Sequence, residues 1–136
     1  MNNAESPNGI SAESFIERRF AKPFDLSERF LNFGDRVCSV VEALPETRIG
    51  RRIADRLLRS GTSPLGNNEE ACAAESKRDF VHKLRICLKE VRESRAWLLL
   101  SARRNLVSAS RLQDLIDEGG QLARIIGQSI ATARGI

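Results

Sequence analysis

From residue 26 almost to the end of the chain, apolar residues recur every three or four positions, the step of an amphipathic helix. Leu26, Phe30, Phe33, Val37, Val40 and Leu44 are spaced alternately by four and three. That heptad-like seam predicts a helix packed nearly antiparallel against others. Asp25 is a natural N-cap, and Pro45 stops the helix. Gly34, inside it, either lets another helix come close or is simply tolerated. A second helix is expected from about Glu46, with Ile49, Ile53 and Leu57 on one stripe. Gly61 costs about 1 kcal/mol in a helix interior, and Pro64 removes a backbone donor. The expectation is one helix kinked at 59–64 and resuming to about Ala74, with two short helices as the alternative.

A third helix has the clearest start. Ser76-Lys77-Arg78-Asp79 fits a capping box. Phe80, Leu84, Cys87, Val91 and Leu98 then follow one face to about Ala102, and Asn105 is a plausible end. A fourth starts near Ser110, with Leu112, Leu115, Leu122, Ile126 and Ile130 as its stripe. The apolar phase does not change across Gly119-Gly120, so this helix is read as continuous. No segment keeps a period of two. Rods of roughly 19–28 residues span about 30–40 Å each. Four of them on short links predict an all-α, antiparallel up-down-up-down four-helix bundle over residues 25–136. Residues 1–24 read as an N-terminal arm. Three of the six Phe fall in it (Phe15, Phe20 and Phe24), and disordered tails are poor in aromatics. The arm is therefore expected to dock on the domain or on a neighbouring subunit.

Composition changes this picture little. One domain of 136 residues buries a core without disulfides or metal. No apolar run approaches the roughly 20 residues of a membrane span, and the first residues lack the layout of a signal peptide. The expectation is a cytoplasmic protein with no membrane role. Cys38, Cys72 and Cys87 form no CxxC pair. They read as small buried side chains, not as a disulfide framework.

Charge is more informative. The net charge is +4, unevenly spread. Residues 46–61 carry five Arg against two acids, residues 62–76 three Glu and no base, and residues 77–104 nine bases against three acids. Arg far outnumbers Lys, which suits bidentate contacts to carboxylate or phosphate.

Several words in the block 57–98 carry a resemblance: LLRSGTS at 57–63, Asn67 with Glu70-Ala71, AAES at 73–76, DFVHKLRICLKE at 79–90 and ESRAWL at 93–98. Over about Asp25 to Ile130 the chain resembles the four-helix bundle proteins associated with 23S rRNA intervening sequences. More distantly, it is similar to the accessory variability proteins of diversity-generating retroelements. The resemblance implies a four-helix bundle that assembles into a homo-oligomer, a pentameric ring. Through the retroelement relatives, which engage nucleic acid and a reverse transcriptase, it makes RNA or DNA a partner worth testing. Pro64 stands where the family usually has a small aliphatic residue. Asn68 and Ala96 stand where it often has Tyr, and this chain has no Tyr. A stacking role for those two positions is lost.

No complete catalytic or cofactor motif accompanies these words. A di-iron bundle needs two Glu-x-x-His pairs, and the chain has one histidine, His82. A hydrogen-bonded structural histidine beside the core face is the better reading. Zinc finds no ligand set, and phosphate loops are absent. Ser60, Thr62 and Ser63 lack a base to activate them, so they are expected to satisfy backbone groups near Pro64. With Asn67, Glu70, Ser76 and Asp79 they make up the expected structural polar residues. Asn67, Glu70 and Glu75 are read as a network linking the second and third helices, reaching Arg59 or Lys83. No cofactor, no metal, no small-molecule substrate and no enzymatic activity are expected.

Two basic stripes remain. Arg48, Arg52, Arg56 and Arg59 lie within about 80° of one another on the second helix, and Arg78, Arg85, Lys89, Arg92 and Arg103 share one face of the third. The functional reading is a surface that tracks phosphates, driven by counterion release. The ordinary readings are a solvated face laced with pairs such as Asp55–Arg59 and Lys89–Glu93, or ion pairs between subunits with Glu69, Glu70 and Glu75 as the acidic counterpart.

Overall fold

The structure, a computed structural model, describes residues 24–135. The expected docking of the N-terminal arm falls on residues 1–23, outside the described residues. Four helices make up the described chain: α1 (Phe24–Ala43), α2 (Arg48–Cys72), α3 (Lys77–Arg103) and α4 (Ala109–Ala133), with no strand among the described residues. Each helix packs on its neighbour in sequence, and α4 returns against α1. Cross-helix contacts run in opposite chain directions. Ser27 meets Asn68 across α1–α2, and Ser60 meets Ser94 while Glu70 meets Lys83 across α2–α3. This is the antiparallel up-down-up-down bundle that the apolar spacing predicts.

The local starts and stops differ in detail from the sequence expectation. α1 already begins at Phe24, so Asp25 lies in its first turn, not ahead of it. α2 starts at Arg48 behind Thr47, whose hydroxyl accepts the Gly50 amide at 3.1 Å. Ile49, expected in the core stripe, is exposed. Gly50 turns inward instead, against Pro45, where any Cβ would collide with the Pro45 carbonyl. α2 then runs unbroken through Gly61 and Pro64 and stops at Cys72, two residues short of the expected end. Burial decides this: Ser60, Gly61 and Pro64 all face the interior. A Cβ on Gly61 would stand 2.6 Å from Val37 Cγ1, and one on Gly34 would stand 3.6 Å from the Gly61 carbonyl oxygen. The two glycines let α1 and α2 approach closely, as Gly34 alone hinted.

Ser76 caps α3 by accepting the Asp79 amide at 3.0 Å. Asn105 ends it in the left-handed region (φ 56°). Its amide donates to the Ala102 carbonyl and the Leu106 amide to the Ser101 carbonyl, the paired bonds of a Schellman stop with Asn in place of Gly. α4 starts at Ala109 and is continuous across Gly119-Gly120. Gly119 is buried because Phe33 and Arg95 lie against it, leaving only van der Waals room for a side chain. The core is built from the expected stripes: Phe30, Phe33, Leu57, Leu84, Leu98, Leu112, Leu122 and Ile126 are essentially inaccessible. Arg29 clamps α1 to α4 with two 2.9 Å bonds to Glu118, a bidentate fork.

Candidate nucleic-acid interface

The two basic stripes meet different fates. On α2, Arg56 and Arg59 turn toward α3. Arg59 Nη1 stands 3.4 Å from both oxygens of Glu90, with hydrogen-bond geometry to Oε1 alone, and Nη2 is 3.3 Å from Glu93 Oε1. Arg56 is 3.8 Å from Glu93. Trp97 Nε1 donates to the same Glu93 at 3.1 Å. Beneath this surface cluster, Ser94 Oγ donates to the Glu90 carbonyl at 2.8 Å and lies 3.0 Å from Ser60 Oγ, both hydroxyls fully buried. Four positively and negatively charged groups thus satisfy one another across the α2–α3 seam, in place of the expected pairs Asp55–Arg59 and Lys89–Glu93. Arg48 and Arg52, at the start of α2, are exposed, with no carboxylate within ion-pair distance among the described residues.

On α3 the outcome is the opposite. Arg78, Arg85, Lys89, Arg92 and Arg103 are all exposed. At 100° per residue they share an arc of about 60° directed away from the core. Arg78, Arg85 and Arg92 repeat every seven residues, a rise of about 10.5 Å per step. No acidic residue shares the arc: Asp79, Glu90 and Glu93 lie on the side of α3 turned to α2, where Arg59 holds both glutamates. None of the five cations is within ion-pair distance of a carboxylate among the described residues. A row of cations without an ion partner among the described residues has the chemistry needed to displace the counterions condensed on a polyphosphate backbone.

The remaining expected residues are placed as follows. Thr62 Oγ1 donates to the Leu58 carbonyl at 2.6 Å, and Ser60 Oγ approaches the Leu57 carbonyl at 3.5 Å. Asn67 Nδ2 bonds the Ser63 carbonyl and hydroxyl within α2, at 3.1 and 3.0 Å. Glu70 is exposed and pairs with Lys83 at 2.7 Å, a bond that holds the Lys83 ammonium above its ordinary value. Glu75 is exposed. Of the expected network, Glu70 does link the second and third helices through Lys83, at the surface, while Asn67 bonds only within α2. The buried amide is the neighbouring Asn68, whose Nδ2 reaches Ser27 Oγ at 3.1 Å. Because position 68 faces inward, a side chain there is no stacking platform. Ala96 does sit on the exposed arc of α3, so the missing aromatic counts there. Trp97 is half-buried on the seam side. His82 is exposed, not core-facing. Of the cysteines only Cys87 is fully buried, and burial pushes its thiol up to about 12. No three His, Cys, Asp or Glu side chains gather in a metal-sized cluster among the described residues. Among the described residues, no helix is long and apolar enough to cross a membrane.

Sequence reasoning missed Glu90, Arg29 and Arg95. Glu90 precedes Val91 of the core stripe and so sits at the edge of the apolar face, which was the available signal. Arg95 Nε donates to the Ile116 carbonyl at 3.2 Å across α3–α4, over the room left by Gly119 and Gly120. Only the double glycine marked that place.

A closed antiparallel bundle with one acid-free basic helix face is the class that fold and site define. The chain belongs to the 23S rRNA-intervening sequence protein family, whose model matches residues 24–128. It is similar to the crystal structure of a protein with unknown function from the S23 ribosomal protein family from Bacteroides thetaiotaomicron VPI-5482. The TM-score is 0.72 with 28% identity, over 77% of this chain and 97% of that one. No curated protein sequence matches this one.

Proposed function

We propose that this protein is a non-enzymatic oligomer that binds structured RNA or DNA through the outer face of α3. One observation carries the reading: five exposed cations on α3 share an arc with no acidic residue, while the arginines of α2 that face α3 are already neutralised. A solvated face laced with i, i+4 pairs would intersperse both signs. The resemblance to the retroelement accessory proteins supports both the ligand class and a homopentamer, and assembly would multiply the stripe and add avidity. Three free thiols suit a reducing compartment such as the cytoplasm.

A second reading is a structural or protein-interaction scaffold whose arginine stripes pair with a neighbouring subunit. What favours it is the set of exposed large apolar side chains on the monomer, Leu31, Ile49, Leu58, Leu99 and Leu100. Titrating the nuclease-treated oligomer against structured RNA and duplex DNA at several salt concentrations separates the two. The first reading expects micromolar or tighter binding with a steep negative salt slope. An intact oligomer that binds neither at low salt assigns the charges to the assembly.

A further inference from the structure

One end of the bundle carries a feature that the α3 arc does not explain. There the first turns of α3 and the end of α4 border a groove of about 940 Å³, near the upper end of the roughly 300–1,000 Å³ typical of ligand sites. Lys77, Arg78, His82 and Arg85 enter it from α3, and Arg134 from the C-terminal cap of α4. Asp79 is its one acidic residue among the described residues, and that carboxylate also acts on Lys83, toward the α2 side. Among the described residues, four permanent cations therefore share a cleft with one carboxylate. Gathering like charges from two helices costs the isolated fold self-repulsion, and none of these four pairs with a carboxylate among the described residues. The buried Val81 lines the same groove, and an apolar wall strengthens the field felt by an entering anion.

We infer that this groove is a phosphate-binding site that grips a nucleic-acid strand at the end of the bundle, and that the strand continues from it along α3. Arg78 and Arg85 belong to both groove and arc, so the two surfaces are continuous, with Lys89, Arg92 and Arg103 following along the helix. The cations of the groove converge on one volume, whereas those of the arc are strung out about 10 Å apart. The groove is the anchor and the arc the track. This inference rests on the proposed nucleic-acid reading and adds a location and a second helix to it.

His82 is the chain's single histidine, so its resonance reports on the groove alone. The full chain, labelled with ¹³C at histidine Cε1, is titrated with a single-stranded RNA bearing a 5′-phosphate, with the same RNA bearing a 5′-hydroxyl, and with duplex DNA. Fluorescence anisotropy measures affinity in parallel. The His82 signal is expected to shift and saturate at the affinity that anisotropy gives. Arg78→Gln with Arg85→Gln and Arg134→Gln is expected to weaken single-strand binding on the order of tenfold or more at 0.1 M salt, and to flatten the log–log salt slope by about 2. Arg92→Gln with Arg103→Gln weakens binding but leaves the His82 shift in place. A larger response to the 5′-phosphate assigns the groove to a strand terminus, and an equal one to internal phosphodiesters. Nucleic acid that binds with the His82 signal unmoved overturns the groove and leaves the α3 surface standing. No binding at all overturns both. The wild-type resonance decides the matter even if the triple variant fails to fold.

Discussion

Arg59 and Arg85 sit on adjacent helices, and both are exposed, yet their surroundings are opposite. Arg59 lies over the α2–α3 seam between two carboxylates, one of them, Glu90, with 6% of its side chain accessible. Arg85 stands on an arc with no carboxylate within ion-pair distance among the described residues. Exposure alone therefore says little about whether a cation is available. What matters is whether the neighbouring helix supplies an anion. The seam uses its charges to fix α2 against α3, and the arc carries charges that no carboxylate among the described residues pairs.

The largest loss is expected on the α1 side of α2, where Gly61 packs on Val37. Gly61→Val drives a branched side chain into the buried Val37, and should cost about 3 kcal/mol. Chemical denaturation would show it as a lowered midpoint. An unchanged midpoint would mean that α1 and α2 do not pack this closely. Next in size is reversal of the arc. Arg85→Glu with Arg92→Glu should weaken nucleic-acid binding more than about tenfold and leave stability within about 0.5 kcal/mol. If instead the oligomer dissociates on a sizing column, the arc belongs to an intersubunit contact.

A smaller effect is expected at the seam's own cation. Arg59→Ala strands Glu90 without its cation and should cost about 1 kcal/mol, well short of the ~3–5 kcal/mol of a fully buried pair, because Arg59 is half exposed. Arg85→Ala, the matched control, should be within about 0.5 kcal/mol of the parent. Equal losses for the two would mean that the seam and the arc do not differ in how they hold their cations. The least perturbing test removes nothing. The thiolate is the reactive form of cysteine. With the Cys87 thiol pushed up to about 12 by burial, a thiol reagent at pH 8 should label at most two of the three cysteines in the native protein and all three in denaturant. Three labelled thiols under native conditions would show that the α2–α3 interface opens.

The apolar stripes were legible from spacing alone because burial of a helix face imposes its own period. Leu26 to Leu44, Phe80 to Leu98 and Leu112 to Ile130 all fall inside as read. Ile49 failed because the inward arc of α2 runs through Gly50, Ser60 and Asn68 as well as Ile53 and Leu57, and Ile49 falls beyond its edge; residues that are not apolar do not show in an apolar stripe. α2 stays one helix through Pro64, as expected over the alternative of two short ones, because propensity is a local term that packing on both sides of α2 overrides. The basic arc of α3 was legible as a stripe, since one helix defines it. That Arg56 and Arg59 leave the candidate site was not, because their partners lie about 31–37 positions away on another helix.

Neighbours three or four residues apart set the four amphipathic helices, the Ser76 cap and Asn105 stop of α3 and the cations each helix carries, and these were readable along the chain. The tertiary structure alone decided which cations are neutralised, that Asn68 and not Asn67 is the buried amide, and that α3 and α4 bring Lys77, Arg85 and Arg134 to one groove. Coulombic and hydrogen-bond energies depend on distance in space. Only the packing of the helices sets that distance for residues far apart in the chain.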